Sequence, residues 1–215
     1  MEKSMKYIIM CGGNYKIWDT PRQMTRIRGE PNIVRTIRLL QGCGVTDIAI
    51  STHDERFSQF GVPLLRHDNG FAHKDGKAIG AWVEGFYPMD APACYILGDV
   101  VFSPYAIRTI VDTQTDSIQY FASCPPFSPQ YIKKFAEPFA FKVFDQARFR
   151  AAIDYVKANV HTGIFGRHPI AWELWQVIRG RNVRDIDYGS YVAINDYTCD
   201  IDKPEEAKQI ERAMN

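Results

Sequence analysis

Residues 8–16 of the chain, Ile8-Ile9-Met10-Cys11-Gly12-Gly13-Asn14-Tyr15-Lys16, decide the fold. In this stretch an apolar strand runs into a glycine turn and then a basic residue, and the proline-basic pair Pro21-Arg22 follows. Glycines let the backbone approach a phosphate closely and expose amide N–H groups, while Lys16 and Arg22 supply positive charge. The segment therefore predicts a loop that holds a polyphosphate.

The composition favours a small ligand over a polymer. A chain of 215 residues that is 46% hydrophobic can bury a good core, and it predicts one elaborated domain rather than two. Its 26 basic and 25 acidic residues lack the basic excess typical of proteins that bind nucleic acid or anionic membranes. The five cysteines are scattered singly, and no apolar segment approaches the length of a membrane span. We therefore expect a cytoplasmic protein with neither kind of partner.

The elements around the loop predict a parallel α/β core. A strand is predicted over 6–11, a helix with one apolar face over 32–41, and a second strand over 45–51. This strand–helix–strand order implies parallel pairing and a layered structure. A helix is predicted over 75–85, despite its glycines, and a third strand over 94–97.

The second half of the chain changes character. A helix is predicted over 103–113, with Ser103 as its N-cap and Pro104 at its first position. Residues 119–144 are rich in aromatics and prolines, which is more typical of an antiparallel extension or lid than of further parallel sheet. The remaining predicted elements are helices over 146–159 and 171–179, a strand over 191–195 and a terminal helix from residue 203.

Two acidic positions are candidates for ligand binding. Asp99 follows the third predicted strand, and open α/β sheets bind ligands just outside the carboxyl ends of their strands. Asp202 begins the run Asp-Lys-Pro-Glu, which is also a good helix start, with Asp202 as N-cap and Glu205 at the capping-box position.

Two further groups are candidates for substrate contacts. Gly76 and Lys77 begin a predicted helix and suit close approach by a nucleotide base or phosphate, although a solvated helix start is the alternative. Trp172 and Trp175 lie at helical spacing, which favours packing. With Glu173 between them, they also have the chemistry that attracts a quaternary ammonium group.

The pattern over residues 8–31 resembles the signature of the MobA-like and sugar-phosphate nucleotidyltransferases. That signature runs apolar strand, glycine-rich turn with a basic residue, Pro-Lys, and Gly-x-Pro before a helix, and residues 21–31 match its second half without a gap. Asn14 stands where the family has a glycine, and Asn tolerates the left-handed conformation best among non-glycine residues. Lys16 and Arg22 stand where the family has arginine and lysine. The resemblance covers about the first 110 residues and the last 25.

The resemblance implies a Rossmann-like three-layer α/β fold with a mixed sheet, of the nucleotide-diphospho-sugar transferase or GT-A type, carrying a small antiparallel, aromatic-rich extension. It implies a single domain over 1–215, in which 119–190 forms the acceptor-side extension or lid.

The same resemblance implies Mg²⁺-dependent transfer of a nucleotidyl group from a nucleoside triphosphate to a small phosphate monoester, with release of pyrophosphate. Lys16, Arg22 and Asp99 would be catalytic, and Mg²⁺ would be held by Asp99 and Asp202, with Asp200 as the fallback ligand. Trp172, Glu173 and Trp175 would bind the acceptor. The implied nucleotide-binding residues are Met10, Cys11, Gly12, Gly13, Asn14, Tyr15, Gly76, Lys77 and Gly98.

The compact size and the C-terminal sequence favour the cytidylyltransferase side of the family. Its members would use CTP and a phosphocholine-like, sugar-phosphate or phosphorylated amide acceptor in surface-polysaccharide precursor synthesis, and a homodimer is compatible with the resemblance. One alternative is a GT-A glycosyltransferase, although Asp99 is followed by two valines rather than forming the expected Asp-x-Asp. Another is an inactive nucleotide-binding regulatory module, for which Asn14 and the exchanged basic residues argue.

Overall fold

The computed structural model describes residues 5–12, 19–68, 81–123 and 136–214. Short 3₁₀ turns occur at Arg22–Met24, Glu55–Phe60 and Ala81–Gly85. The strands are β1 (Lys6–Met10), β2 (Arg26–Ile27), β3 (Glu30–Pro31), β4 (Ile48–Thr52), β5 (Leu64–Arg66), β6 (Ala93–Leu97), β7 (Val100–Val101), β8 (Ile118–Ala122), β9 (Pro138–Val143), β10 (Val192–Ala193) and β11 (Cys199–Asp200). The helices are α1 (Asn32–Gly42), α2 (Pro104–Asp112), α3 (Gln146–Asn159), α4 (Ala171–Arg179) and α5 (Glu206–Ala213).

Seven of these strands form one mixed sheet in the order β10-β8-β9-β6-β1-β4-β5. Strand β1 pairs in parallel with both β4 and β6, so that Tyr7 lies opposite Ile48 on one side and Cys94 on the other. The parallel pairing predicted from the opening strand–helix–strand order is therefore confirmed. It brings the carboxyl ends of β1, β4 and β6 to one edge of the sheet.

Helices cover both faces of the sheet, which confirms the three-layer α/β fold. Ile8 and Met10 of β1 pack in a cluster that includes residues of α3 and α4. Ile9 and Cys11 point the other way, into a cluster with residues of α1 and α2. Because successive side chains of a strand alternate between faces, burial on both sides gives β1 its continuous apolar sequence.

The aromatic segment is antiparallel, as predicted, but its strands continue the main sheet. Strand β9 runs antiparallel between β6 and β8, with Phe141 opposite both Tyr95 and Tyr120. Phe139 packs on the face covered by α1 and α2, whereas Tyr120 and Phe141 stack on the other face at a centroid distance of 4.5 Å. Both faces are apolar and buried, so these strands have no free face to present as a separate layer.

Several predicted boundaries differ from those in the structure. Strand β4 begins at Ile48 rather than at the predicted residue 45. The N–H groups of Gly44 and Val45 donate instead to the carbonyls of Gln41 and Leu40 and close the end of α1. The described part of the predicted 75–85 helix, residues 81–85, is a 3₁₀ turn, and the predicted 191–195 strand shortens to β10.

The prediction of Asp202 as an N-cap is wrong. Helix α5 begins at Glu206, and the N-cap position is Glu205. The Glu206 carboxylate accepts hydrogen bonds from the N–H groups of Asp202 (2.7 Å) and Lys203 (3.2 Å), while the Asp202 carboxylate contacts Arg22 instead. The side chain of Asp202 therefore points to the sheet edge rather than to its own helix.

None of the helices in the described ranges is both long enough and apolar enough to cross a membrane.

Candidate active site

Gly98 forms the tight junction between the ends of β1 and β6. Its N–H donates to the carbonyl of Met10 at 3.0 Å and extends the parallel ladder by one residue. A Cβ at position 98 would lie 2.5 Å from that carbonyl oxygen and 2.8 Å from the Cys11 Sγ atom. Only glycine fits here without displacing a strand, and the next residue, Asp99, is thereby fixed at the edge of the sheet.

The guanidinium of Arg22 joins the two predicted carboxylates. Its Nη2 atom lies 2.5 Å from Oδ2 of Asp99, and its Nη1 atom lies 3.1 Å from Oδ1 of Asp202. The same Nη1 also donates to the carbonyl of Ile201 at 3.4 Å. Three residues that are far apart in the sequence thus meet at one point: Arg22 of the Pro-Arg motif, Asp99 at a strand end, and Asp202 at the end of residues 196–202, a segment called the C-terminal arm below.

The donor set at this point fits Mg²⁺. Asp99 and Asp202 provide oxygen ligands only, the type that Mg²⁺ prefers, and both carboxylates contact the same guanidinium. The Asp99 side chain is 14% exposed and that of Asp202 is 52% exposed, which leaves room for water and substrate oxygens. Within the described ranges no three His, Cys, Asp or Glu residues cluster as a metal site, and Mg²⁺ commonly binds through one or two protein carboxylates.

Main-chain hydrogen bonds attach the C-terminal arm to β7 and to the turn that precedes it. The main-chain N–H of Ile201 donates to the Asp99 carbonyl at 3.0 Å, and β11 pairs antiparallel with β7, so that Asp200 lies opposite Val100. These main-chain bonds set the position of Asp202 relative to Asp99. Asp200 lies within the paired strand, two residues before the aspartate that contacts Arg22.

Asn32, the first residue of α1, anchors the turn that carries Asp99. Its buried side-chain amide donates to the carbonyl of Val100 at 2.9 Å and to that of Gly98 at 3.3 Å, on the two sides of Asp99. Sequence reasoning missed this residue. The available signal in the sequence was a polar residue placed directly before the apolar positions of the predicted helix.

Arg35 lies one turn further along α1 and links the same region to the C-terminal arm. Its Nη2 atom donates to the carbonyl of Phe102 at 3.0 Å and to the hydroxyl of Tyr197 at 3.1 Å. The arginine is buried, and a buried charged group is retained only when it is hydrogen-bonded. Sequence reasoning missed this link too, because Tyr197 is distant in the chain.

Ser103 completes the attachment of the arm. Its hydroxyl caps α2, as predicted, by accepting the N–H of Ala106 at 2.8 Å, and it also donates to the carboxylate of Asp196. The Ser103 N–H donates to Thr198 Oγ1 at 3.0 Å, and Thr198 N–H in turn donates to Asp196 at 2.7 Å. A predicted helix cap therefore also holds residues 196–198 against the sheet edge.

The cysteine at the end of β1 is a packing residue with an unreactive thiol. Cys11 is fully buried; its N–H donates to Ser51, and its carbonyl accepts from Thr52 Oγ1 at 3.1 Å. Burial, reinforced by the nearby Asp99 carboxylate, raises the pKa of the Cys11 thiol well above its ordinary value. The thiol therefore stays neutral at physiological pH, and direct nucleotide contacts by Met10 and Cys11 stay predictions.

Gly12 lies close to the side chain of His67. A Cβ at this position would lie 3.0 Å from two ring atoms of His67, which follows β5 at the same sheet edge. The His67 ring in turn meets that of His53 in an edge-to-face contact with a centroid distance of 5.8 Å. Gly12 thus lies against an imidazole, a packing partner that sequence reasoning missed, and its nucleotide contact stays a prediction.

Several predicted contacts lie outside the described residues. These are Gly13, Asn14, Tyr15, Lys16, Gly76 and Lys77, and their assignments stay predictions.

The three acceptor candidates lie inside the protein. Trp172 and Glu173 are each 1% exposed, and Trp175 is 5% exposed. The Trp172 Nε1 atom donates to the carbonyl of Ala136 at 2.9 Å, and Glu173 pairs with Arg167 at 2.5 Å while accepting the N–H of Ile170 at the start of α4. Their surroundings match the packing alternative, and an acceptor role stays a prediction.

Solved structures share this fold over nearly the whole chain. Rv0371c from Mycobacterium tuberculosis H37Rv matches with 14% identity, 99% coverage of both chains and a TM-score of 0.55. Its homologue from Mycobacterium sp. strain JC1 matches with 13% identity, covering 97% of this chain and 96% of the other, with a TM-score of 0.55. A Bacillus anthracis protein provisionally assigned as a glucose-1-phosphate thymidylyltransferase matches with 18% identity, 99% and 97% coverage and a TM-score of 0.53.

These likenesses establish a nucleotidyltransferase-type fold. At this level of identity they establish the fold and nothing finer. No protein-family model matches the sequence, and neither does any curated protein sequence.

Proposed function

We propose that the chain is an Mg²⁺-dependent nucleotidyltransferase that transfers a nucleoside monophosphate from a triphosphate to a small phosphate monoester. The observation that carries the proposal is the contact of one guanidinium, Arg22, with both Asp99 and Asp202 at the carboxyl edge of the sheet. In an open α/β sheet this edge is where ligands bind. A cationic group beside two carboxylates is suited to a substrate that carries both phosphate charge and a divalent cation.

In the proposed reaction an oxygen of the acceptor phosphate attacks the α-phosphorus of the triphosphate. A new P–O bond forms, the bond from the α-phosphorus to the bridging oxygen of the β-phosphate breaks, and pyrophosphate leaves with the electron pair. No protein nucleophile is needed, and the neutral Cys11 thiol nearby could not serve as one. Catalysis would come from positioning and charge neutralisation.

Each site residue has a proposed task. Arg22 would hold phosphate oxygens of the triphosphate together with Lys16 and the main-chain amides that follow β1. Asp99 and Asp202 would hold Mg²⁺, with Asp200 as the alternative to Asp202. When bound, the metal would neutralise phosphate charge as a Lewis acid.

The base and the acceptor are proposed from the sequence resemblance. We favour CTP and a phosphocholine-like, sugar-phosphate or phosphorylated amide acceptor, used in surface-polysaccharide precursor synthesis. The base would lie near Gly76 and Lys77, and the acceptor would lie towards residues 119–190.

Pyrophosphate release tests the proposal. The purified protein is incubated with Mg²⁺, each of the four nucleoside triphosphates and a panel of phosphate monoesters, and the Asp99→Asn variant serves as the inactive control. We expect release that requires Mg²⁺ and an acceptor and is fastest with CTP.

The alternatives give different results in the same assay. Sugar transfer from a nucleotide-sugar without pyrophosphate release would favour a glycosyltransferase. Binding of a triphosphate without turnover across the whole panel would favour a regulatory module.

A further inference from the structure

A basic cavity that is largely open to solvent lies between α5 and the turn that joins β2 to β3. It has a volume of about 440 Å³ and is lined by Arg28, Lys208, Glu211 and Arg212. Pockets for small ligands commonly span about 300–1,000 Å³, so the cavity is large enough for one. Three of its four lining residues carry positive charge.

Two of the positive charges in the cavity, those of Lys208 and Arg212, lie close together on α5. Lys208 and Arg212 are exposed and one turn apart on α5, where like charges repel each other. Among the described residues, neither forms an ion pair with a carboxylate. The Glu211 carboxylate accepts the main-chain N–H of Arg28 at 2.5 Å and so is engaged in holding the turn. A ligand with two or more negative charges would relieve the repulsion.

Arg28 adopts a conformation that its residue type disfavours. Arg28 and Gly29 connect the paired residues Ile27 and Glu30, and both have positive φ, at 49° and 83°. Two-residue hairpin turns with positive φ at both positions prefer Asn-Gly, because asparagine tolerates the left-handed region and most side chains do not. Local turn chemistry therefore does not explain an arginine here, whereas its place in the wall of the basic cavity does.

We propose that this cavity is a binding site for a small phosphorylated ligand, held by Arg28, Lys208 and Arg212. A ligand in this position ties α5 to the β2–β3 hairpin. Helix α5 begins four residues after Asp202, and β2 begins four residues after Arg22, so the ligand joins the two segments that carry these residues. The binding test below does not read catalysis, and its outcome is independent of the proposed function.

Titration calorimetry and thermal unfolding with pyrophosphate as the probe, without divalent metal, test the site. We expect Arg28→Asn to raise the melting temperature of the ligand-free protein, because asparagine suits the turn, and to weaken pyrophosphate binding about fivefold, the upper range for an exposed charge pair. Arg212→Gln should weaken binding similarly. Arg108→Gln removes an exposed arginine from α2 and should leave binding unchanged.

Hydrogen exchange locates the bound probe. Pyrophosphate should protect amides in residues 26–31 and 206–213, and it should still do so in the Arg22→Ala variant. Equal affinity in wild type, Arg28→Asn and Arg212→Gln would overturn the proposal, as would protection confined to residues near Arg22 and Asp99. A lower melting temperature for Arg28→Asn would show that the arginine serves the turn itself.

Discussion

Arg22 lies 2.5 Å from Asp99, and this ion pair places the Pro-Arg motif directly over the end of β6. The other terminal nitrogen of the same guanidinium, Nη1, lies 3.1 Å from Oδ1 of Asp202. A planar guanidinium presents several donors in a fixed arrangement and can therefore serve two carboxylates together, which a lysine ammonium does less well. Four tests follow from this site and from the packing beneath it.

Asp99→Asn should lower the rate of metal-dependent pyrophosphate release by about 100-fold or more, because the loss of metal charge stabilisation costs several kcal/mol. Circular dichroism should show an intact fold, since the side chain is at the edge of the sheet. Asp112→Asn, at an exposed position at the end of α2, is the matched control and should retain full activity. Near-normal turnover by the Asp99 variant would refute its metal role.

Arg22→Ala should reduce kcat/KM for the triphosphate by about 100-fold, the effect typical of a lost charge-stabilising donor. Arg22→Lys keeps the charge but loses the simultaneous contact of one planar group with Asp99 and Asp202. Its rate should therefore fall between those of wild type and the alanine variant. Arg38→Ala removes another arginine–carboxylate pair, with Glu30 at 2.8 Å, and is the control. An unchanged rate for Arg22→Ala would mean that the motif has been wrongly aligned.

Gly98→Ala should destabilise the protein by about 1–3 kcal/mol, the usual range for overpacking a well-packed site. The added methyl group would meet the Met10 carbonyl oxygen at 2.5 Å and force β1 and β6 apart. Gly42→Ala, in α1, meets nothing within 4 Å and should stabilise by about 0.5 kcal/mol. Denaturant unfolding measures both, and equal effects from the two substitutions would contradict the tight junction at Gly98.

Cys94→Ala should make the free energy of unfolding fall less steeply as the pH rises in the alkaline range. Burial raises the pKa of the Cys94 thiol from 9.0 to about 12, an effect that the Lys142 ammonium partly opposes. As the pH rises, the thiol of the unfolded chain ionises before the buried thiol does. The stability that the neutral buried thiol contributes is therefore complete below pH of about 8.5 and is lost as the pH rises towards 12.

The measurement for Cys94 is the slope of unfolding free energy against pH between 9.5 and 11. Wild type should lose up to about 1.4 kcal/mol per pH unit more than the variant, which corresponds to one proton. Parallel slopes would show that the thiol does not resist ionisation in the folded state.

Elements with a strong local pattern were predictable from the sequence. The helices over 146–159 and 171–179 have the predicted bounds, and the Ser103 cap is present. These features depend on residues within a few positions of each other, through helical periodicity and capping. The Asp202 cap was predicted in the same way and is wrong, because a distant arginine binds its carboxylate.

The supporting residues of the site were not predictable. Asn32, Arg35 and His67 each act through a partner distant in the sequence: Val100, Tyr197 and Gly12. No periodicity or spacing rule connects such pairs, since their contact exists only once the sheet and its covering helices have formed.

The sequence by itself determined the layered α/β architecture, because apolar periodicity and strand–helix–strand order act locally and limit how the sheet can form. It also marked Arg22, Asp99 and Asp202 as separate candidates. Only the tertiary structure decided that these three meet, because that requires the β6–β7 turn, the β7–β11 pair and the first turn of α1 to lie against one another. It also decided what Gly12 and Gly98 accommodate: a His67 ring and a Met10 carbonyl, both supplied by other parts of the chain.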